Sequence, residues 1–181
     1  PPVRLDAAAL DTLASLRRLR GLRLRDAGLS ITDAELQVLT QLPLEELDLA
    51  SNQIALTPDL AARFGEMPLL RELDLSHNPL GNPPGLANLH HLRNLLLNEC
   101  SLTTWPEELT TLMNRPDFAL RNLDLSSNMI HDLPGLETIL ASRYARELLT
   151  SRAQRWEFHF NDLPQGTARQ LRAAGVGVVE Q

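Results

Sequence analysis

Residues 70–80 read LRELDLSHNPL, a segment with leucine at positions 70, 73, 75 and 80 and asparagine at position 78. Only one residue separates Leu73 from Leu75, and side chains two positions apart lie on the same face of a β-strand. The segment therefore predicts a short strand in which Leu73 and Leu75 face the interior. Glu72 and Asp74 alternate with them and are expected to face solvent.

The same eleven-residue pattern recurs along the chain. It starts at positions 19, 44, 70, 92 and 120, at intervals of 25, 26, 22 and 28 residues, and a sixth copy after a longer interval has Trp156 and Phe158 in place of leucines. A recurrence of this kind is typical of leucine-rich-repeat solenoids. We predict an α/β solenoid of about six repeats over residues 19–163. Its parallel sheet forms the concave face, and helices and 3-10 segments form the convex face.

Asparagine near the end of the pattern is predicted to be structural. Its amide both donates and accepts hydrogen bonds, so it can pair backbone groups that are buried between stacked turns. The residues concerned are Asn52, Asn78, Asn128 and Asn161. The first and fourth repeats have Ala27 and Cys100 at this position. Since Cys100 replaces a structural residue, we predict a buried thiol without a catalytic role.

Helix signals lie between the strands. Thr32 and Glu35 have capping-box spacing, a second helix is expected after Thr57 with its end at Gly65, and another is expected to open at Pro106. The longest convex helix is predicted over about residues 136–149. Residues 81–85 contain too many glycines and prolines for an α-helix and are expected to be extended or 3-10.

Both ends of the chain are predicted to cap the solenoid, because a terminal repeat cannot bury its own apolar face. Residues 1–18 form the N-terminal helical cap and residues 164–181 the C-terminal cap, with a last short strand at 176–178. We expect one domain over residues 1–181. The chain begins with Pro1 and not methionine, so it is expected to be a fragment of a larger protein.

Charge and composition exclude several classes of function. A formal net charge of −6 disfavours nucleic acid, whose phosphates attract basic surfaces. No apolar run approaches the roughly 18 to 20 residues of a membrane span. With one cysteine and no Cys/His cluster at zinc-site spacing, we predict neither a metal nor another cofactor.

All 17 basic residues are arginines, and the chain contains no lysine. A G+C-rich genome that favours arginine codons explains this composition. Selection against lysine in a protein that works beside ubiquitin-transfer enzymes also explains it, because lysine is the ubiquitin acceptor. Ten asparagines, which have A-rich codons, weaken the first explanation, but the repeat itself requires several of them. Both explanations stay open.

The concave face is predicted to bind a protein. Leu96 replaces the aspartate that recurs between paired leucines, and an apolar spot within a polar rim is typical of an interface. The alternative is that these aspartates are only solvated. The predicted partner-binding residues are Arg23, Glu46, Asp48, Glu72, Asp74, His77, Asn94, Leu96, Asn98, Asn122, Asp124, Arg155, Glu157 and His159.

The same face also contains the residues that enzymatic chemistry would need. Asp48, Asp74 and Asp124 would be the carboxylates of a hydrolase or a metal site. Their spacing places like charges on neighbouring strands without a third ligand type, and no histidine, cysteine or phosphate-binding loop joins them. We therefore predict no catalysis by these 181 residues, and a hydrolase remains the alternative from the enzyme class. Trp105 and Trp156 are predicted to be core residues.

Three segments carry a resemblance to a known family: residues 70–80, residues 102–109 (LTTWPEEL) and the ending from Asn161 to Gly175. Over nearly its whole length the chain resembles the leucine-rich-repeat regions of bacterial NEL-type E3 ubiquitin ligases. The resemblance implies a secreted effector that acts in host cells, in which the repeats select the substrate and restrain a separate ligase domain. Cys100 does not match that domain's catalytic Cys-x-Asp pattern. The alternative is a free-standing scaffold or inhibitor without ubiquitin chemistry.

Overall fold

The computed structural model describes residues 5–179, and its central element is a six-stranded parallel sheet whose strand order follows the chain. Each strand contains three residues. They are β1 Gly21–Arg23, β2 Glu46–Asp48, β3 Glu72–Asp74, β4 Asn94–Leu96, β5 Asn122–Asp124 and β6 Arg155–Glu157. Each strand pairs only with its neighbours in sequence, as stacked turns of one coil require, and the predicted solenoid is confirmed.

Helices occupy most of the return segments on the opposite side. They are α1 Ala7–Ser15, α2 Asp33–Gln41, α3 Pro58–Arg63, α4 Glu107–Met113, α5 Leu136–Ala141, α6 Arg143–Leu148 and α7 Gln165–Ala173. The cap signals act as predicted: Thr32 and Glu35 form a capping box, and Thr57 Oγ1 accepts the N–H of Leu60 at 3.3 Å. Residues 81–85 contain no helix, which agrees with their glycines and prolines.

Two helix predictions were wrong, one in its end and one in its continuity. α3 ends at Arg63, and Gly65 lies inside the following 3-10 turn Phe64–Glu66. The helix predicted over residues 136–149 is two helices separated by Ser142, which has an extended backbone. Ser142 Oγ donates to Ile139 O at 2.6 Å and accepts the N–H of Ala145 at 3.2 Å. One hydroxyl thus serves the end of α5 and the start of α6.

The two ends of the solenoid are closed to different degrees. α1 lies against α2 and fully buries none of its own residues, and Leu22 and Leu24 of the first repeat are only half-buried. At the other end Gly177 N donates to Trp156 O at 2.8 Å, and the predicted last strand is present as a parallel bridge. Residues 1–4 and 180–181 of the predicted caps lie outside the described residues.

Asparagine side chains join successive turns as predicted. Asn78 Oδ1 accepts the N–H groups of Asn52 and Ile54 at 3.2 and 3.1 Å, and Nδ2 donates to Leu49 O and Leu75 O at 2.9 and 3.0 Å. Asn52, Asn128 and Asn161 make corresponding bonds. These amides satisfy backbone groups that the leucine core would otherwise leave unpaired.

Cys100 performs part of the same task with a weaker donor. Its Sγ lies 3.2 Å from Leu75 O, the thiol is fully buried, and burial raises its pKa to about 12. Trp105 and Trp156 are 2% and 1% exposed, with ring centroids 5.4 Å apart. All three residues therefore belong to the core, as the repeat pattern predicts.

Candidate functional site

Outward-facing strand residues form two straight rows across the concave face. Here we call first row the set Gly21, Glu46, Glu72, Asn94, Asn122 and Arg155, and second row the set Arg23, Asp48, Asp74, Leu96, Asp124 and Glu157. The register pairs each member with its neighbour in the same row. The structure thus brings together the predicted strand residues, with neighbours in a row about 4.8 Å apart.

The aspartates of the second row have a structural role that the sequence interpretation missed. Oδ1 of each accepts the backbone N–H two residues further along. The donors are Ala50 for Asp48, Ser76 for Asp74 and Ser126 for Asp124, at 3.0, 3.0 and 2.9 Å. These bonds hold the chain as it leaves each strand. The second carboxylate oxygen, Oδ2, is left for contacts across the face.

Arg25 makes such a contact and was not among the predicted site residues. It donates to Asp48 Oδ2 from Nε and Nη2 at 3.2 and 3.1 Å, and to Asp74 Oδ2 from Nη2 at 2.7 Å. Hydrogen bonding to Asp48 is the main reason that the pKa of Arg25 is raised. The sequence interpretation considered only metal ligands and catalytic groups beside these carboxylates and did not foresee an arginine between them. Alternation carried two residues beyond Arg23 would have placed Arg25 on this face.

Further polar contacts involve the first row, and one of them joins it to Arg23 of the second row. Arg23 and Glu46 form an ion pair of 3.1 Å. Asn122 Nδ2 donates to Asn94 Oδ1 at 2.6 Å, and Asn94 Nδ2 donates to Glu72 Oε1 at 3.2 Å. Among the described residues Glu72 forms no ion pair, so its negative charge stays available at the middle of the face.

Leu96 lies at the centre of the second row, half-buried between Asp74 and Asp124. A shallow pocket of about 270 Å³ opens beside it, between the two rows. Leu96, Glu72 and Asn122 all line this pocket. An apolar side chain is therefore surrounded by charged and amide groups, as predicted from the missing aspartate.

Polar groups also meet where the strands end. His77 Nδ1 lies 3.1 Å from Glu99 Oε2, and Asn98 Nδ2 lies 3.5 Å from His77 Nε2. On the last strand, His159 Nε2 lies 2.7 Å from Glu157 Oε2. Glu99 thus lies beside the predicted residues His77 and Asn98 at this edge of the face.

A left-handed backbone residue precedes the asparagine position in every repeat. These residues are Asp26, Ser51, His77, Glu99, Ser127 and Phe160, with φ between 53° and 58°. Phe160 is 42% exposed. The repeated conformation sets the direction of the chain at this edge of the concave face, where the two predicted histidines lie.

Within residues 5–179, no group of three or more His, Cys, Asp or Glu side chains is placed to hold a metal ion. No helix in that range has the length and apolar character needed to cross a lipid bilayer. Since Arg25 engages both Asp48 and Asp74, the hydrolase alternative would depend on carboxylates that already have partners.

Comparison with known proteins agrees with this geometry. Two leucine-rich-repeat profiles match residues 42–56 and 69–89. A leucine-rich-repeat protein of Leptospira interrogans superimposes with a TM-score of 0.62 at 22% identity, covering 92% of this chain and 44% of that chain. The chain carries a leucine-rich-repeat domain. An internalin of Listeria monocytogenes has the same fold, with a TM-score of 0.54, 16% identity, and coverage of 95% of this chain and 50% of that one.

Sequence relatives of this leucine-rich-repeat domain are longer proteins. Tubulin-specific chaperone E of Danio rerio is 33% identical over 182 residues, which cover 87% of this chain and 35% of the chaperone. The leucine-rich-repeat-containing G-protein coupled receptor 4 of Rattus norvegicus is 36% identical over 121 residues, which cover 54% of this chain and 12% of the receptor. This chain therefore corresponds to one part of each relative.

Proposed function

We propose that this leucine-rich-repeat domain recognises a protein partner through its concave face. Domains of this kind are typically non-catalytic modules that bind proteins, and six strands at about 4.8 Å spacing present a face roughly 25 Å long. The observation that carries the proposal is Leu96. It places an apolar contact at the centre of an otherwise charged surface, which is the usual arrangement of an interface.

The finer proposal concerns the parent protein. As the substrate-recognition part of a secreted bacterial E3 ubiquitin ligase effector, the domain would select a host protein for a ligase domain elsewhere in the chain. The resemblance of residues 70–80 and 102–109 and the absence of lysine support this role. A free-standing scaffold or inhibitor agrees equally well with the fold. Reading the parent gene distinguishes them, because only the effector requires a ligase domain.

A tubulin-related partner is a second candidate. It rests on the 33% identity to a tubulin-specific chaperone over 87% of this chain. Binding of purified tubulin to the chain, measured by sedimentation velocity, tests it directly. A complex that is lost in a concave-face variant would support this candidate, and unchanged sedimentation of both proteins would dismiss it.

Partner capture tests the concave face itself. Proximity labelling in plant and animal cell lysates compares the chain with a Leu96→Arg, Asp74→Arg double variant. Because Asp74 also holds Ser76, the single variant Leu96→Arg is included, and circular dichroism checks both folds. Glu137→Arg, on the outward side of α5, is the matched control. Partners that disappear in both concave variants and persist in the control support the proposal, whereas partners that persist throughout contradict it.

A further inference from the structure

Three carboxylates of the second row are equivalent, yet within residues 5–179 only two of them meet a cation of the chain itself. Asp48, Asp74 and Asp124 all use Oδ1 for the backbone, and Arg25 binds Oδ2 of the first two. Among the described residues Oδ2 of Asp124 has no hydrogen-bond or ion-pair partner. Arg155 lies on the neighbouring strand in the first row and forms no ion pair within this part of the chain.

The immediate surroundings of Asp124 are both apolar and accepting. Leu96 is its register partner on β4, so the two side chains lie about 4.8 Å apart along the row. Asn122, on the same strand, donates from Nδ2 to Asn94, and its own Oδ1 accepts no hydrogen bond from the described residues. Glu72 ends that amide chain with an unpaired charge. Hydrogen-bond acceptors thus surround the aliphatic side chain of Leu96 on this surface.

Charge complementarity defines what fits there. The two rows together with Arg25 hold six carboxylates and three guanidinium groups, so the face is negative. A guanidinium offers several donors in one plane and reaches carboxylate and amide oxygens together, and its aliphatic stem covers an apolar residue. An ammonium group lacks that fixed plane. Arg25 shows that a guanidinium can lie across neighbouring rungs of this sheet.

We propose that the concave face receives an arginine side chain of the partner protein, with its guanidinium at Asp124 and its stem over Leu96. This proposal rests on the proposed protein-binding function and names the chemistry of the partner segment. Asp124 takes the role for that arginine that Asp48 and Asp74 take for Arg25. Leu96, where aspartate would otherwise recur, supplies the apolar contact for the stem.

The probes are three capped pentapeptides. Their sequence is acetyl-Gly-Leu-Xaa-Leu-Gly-amide, in which Xaa is arginine, lysine or citrulline. Each is titrated into the ¹⁵N-labelled chain, and backbone amide shifts are followed. The arginine peptide is expected to move the signals of Leu96, Asn122 and Asp124 in a saturable way. Citrulline keeps the shape of arginine but not its charge. The citrulline peptide is therefore expected to bind at least about tenfold more weakly than the arginine peptide.

Variants of the chain locate the contact. Asp124→Asn keeps an oxygen for the N–H of Ser126 and removes the charge, so affinity for the arginine peptide should fall about tenfold. Glu137→Gln removes a charge on α5 and should leave affinity unchanged. Arg25→Ala frees Asp48 and Asp74, and a second set of peptide-induced shifts should then appear on β2 and β3.

Several results would overturn the arginine proposal: equal shifts with citrulline or lysine, unchanged affinity in Asp124→Asn, or saturable shifts confined to the helices. These failures are distinct from failure of the protein-binding function. Suppose that the Leu96→Arg variant no longer captures a partner and that none of the peptides binds. Recognition by the concave face would then be supported, and only the arginine contact would be contradicted.

Discussion

Arg25 donates from Nη2 to Asp74 Oδ2 at 2.7 Å, although β2 lies between β3, which contains Asp74, and β1, which ends two residues before Arg25. The guanidinium also contacts Asp48, so one side chain links three consecutive turns of the solenoid. Repeat proteins are held mainly by contacts between nearest-neighbour repeats. The contact between Arg25 and Asp74 skips one repeat and lies on the exposed face. It therefore reduces the negative charge of the second row near β2 and β3 more than it stabilises the stacking of the repeats.

Arg25→Ala is expected to lower the free energy of unfolding by at most about 1 kcal/mol, because the arginine is half exposed and its ion pairs are screened. The difference from wild type should shrink at 1 M salt. Urea unfolding at low and high salt measures both effects. Arg71→Ala, an exposed arginine that forms no ion pair within residues 5–179, serves as the control. A loss of several kcal/mol that salt does not change would contradict the surface role.

Asn78→Ala should have a much larger effect. The variant leaves the buried N–H groups of Asn52 and Ile54 and the carbonyls of Leu49 and Leu75 without their side-chain partner. Unpaired buried groups cost about 1–3 kcal/mol each before relaxation, so a total loss of about 3 kcal/mol or more is expected. Denaturant unfolding measures it.

Asn82→Ala is the matched control for Asn78→Ala, because with the described residues Asn82 makes a single side-chain hydrogen bond, to Leu56 O. Its loss should be about 1 kcal/mol. If the two variants lose the same free energy of unfolding, the repeat asparagine does not contribute more to stability than a residue with one side-chain hydrogen bond.

The sequence predicts a structural feature well when the residues that cause it lie close together in the chain. Leu73, Leu75 and Asn78 could be assigned from spacing because period-two alternation and the needs of a buried turn act within a few residues. Alternation also places Arg25 on the concave face, but its contacts with Asp48 and Asp74 could not be assigned, because these partners lie in the two following repeats. Ser142 was also missed, since apolar spacing continues through it and only its backbone conformation shows that its hydroxyl caps a new helix.

The Cys100 thiol should be unreactive towards thiol reagents in the folded chain. Burial raises the pKa of its thiol from the usual 9.0 to about 12, so little thiolate forms at neutral pH. Ellman's reagent at pH 8 is expected to react only at the rate of unfolding and fully in denaturant. Rapid reaction without denaturant would contradict the burial of this residue.

The same thiol makes stability depend on alkaline pH. Above pH 9 the unfolded chain releases the thiol proton while the folded chain keeps it, so stability should fall as pH rises from 9 towards 12. Burial raises the pKa of Tyr144 and acts in the same direction. Cys100→Ala removes the first contribution, and its unfolding free energy should therefore decline less steeply over this range.

Ser127 tests the left-handed position that recurs in every repeat. With φ at 56°, Ser127→Val should cost about 2 kcal/mol, because a β-branched side chain is strained in this region. Ser127→Gly relieves strain and increases chain entropy in the unfolded state, so its net effect should stay within about 0.5 kcal/mol. Thermal unfolding of the two variants measures the difference, and equal losses would argue against backbone strain at this edge.

Ser142→Ala tests why the predicted helix over residues 136–149 is divided. The buried hydroxyl accepts the N–H of Ala145 at the start of α6 and donates to Ile139 O at the end of α5. Alanine offers neither bond, and loss of an N-cap alone costs about 0.5–2 kcal/mol. Ser142→Thr keeps the hydroxyl and should lose less. If Ser142→Ala instead gains helical circular dichroism and stability, α5 and α6 have merged, and the serine rather than the surrounding packing opposes a single helix.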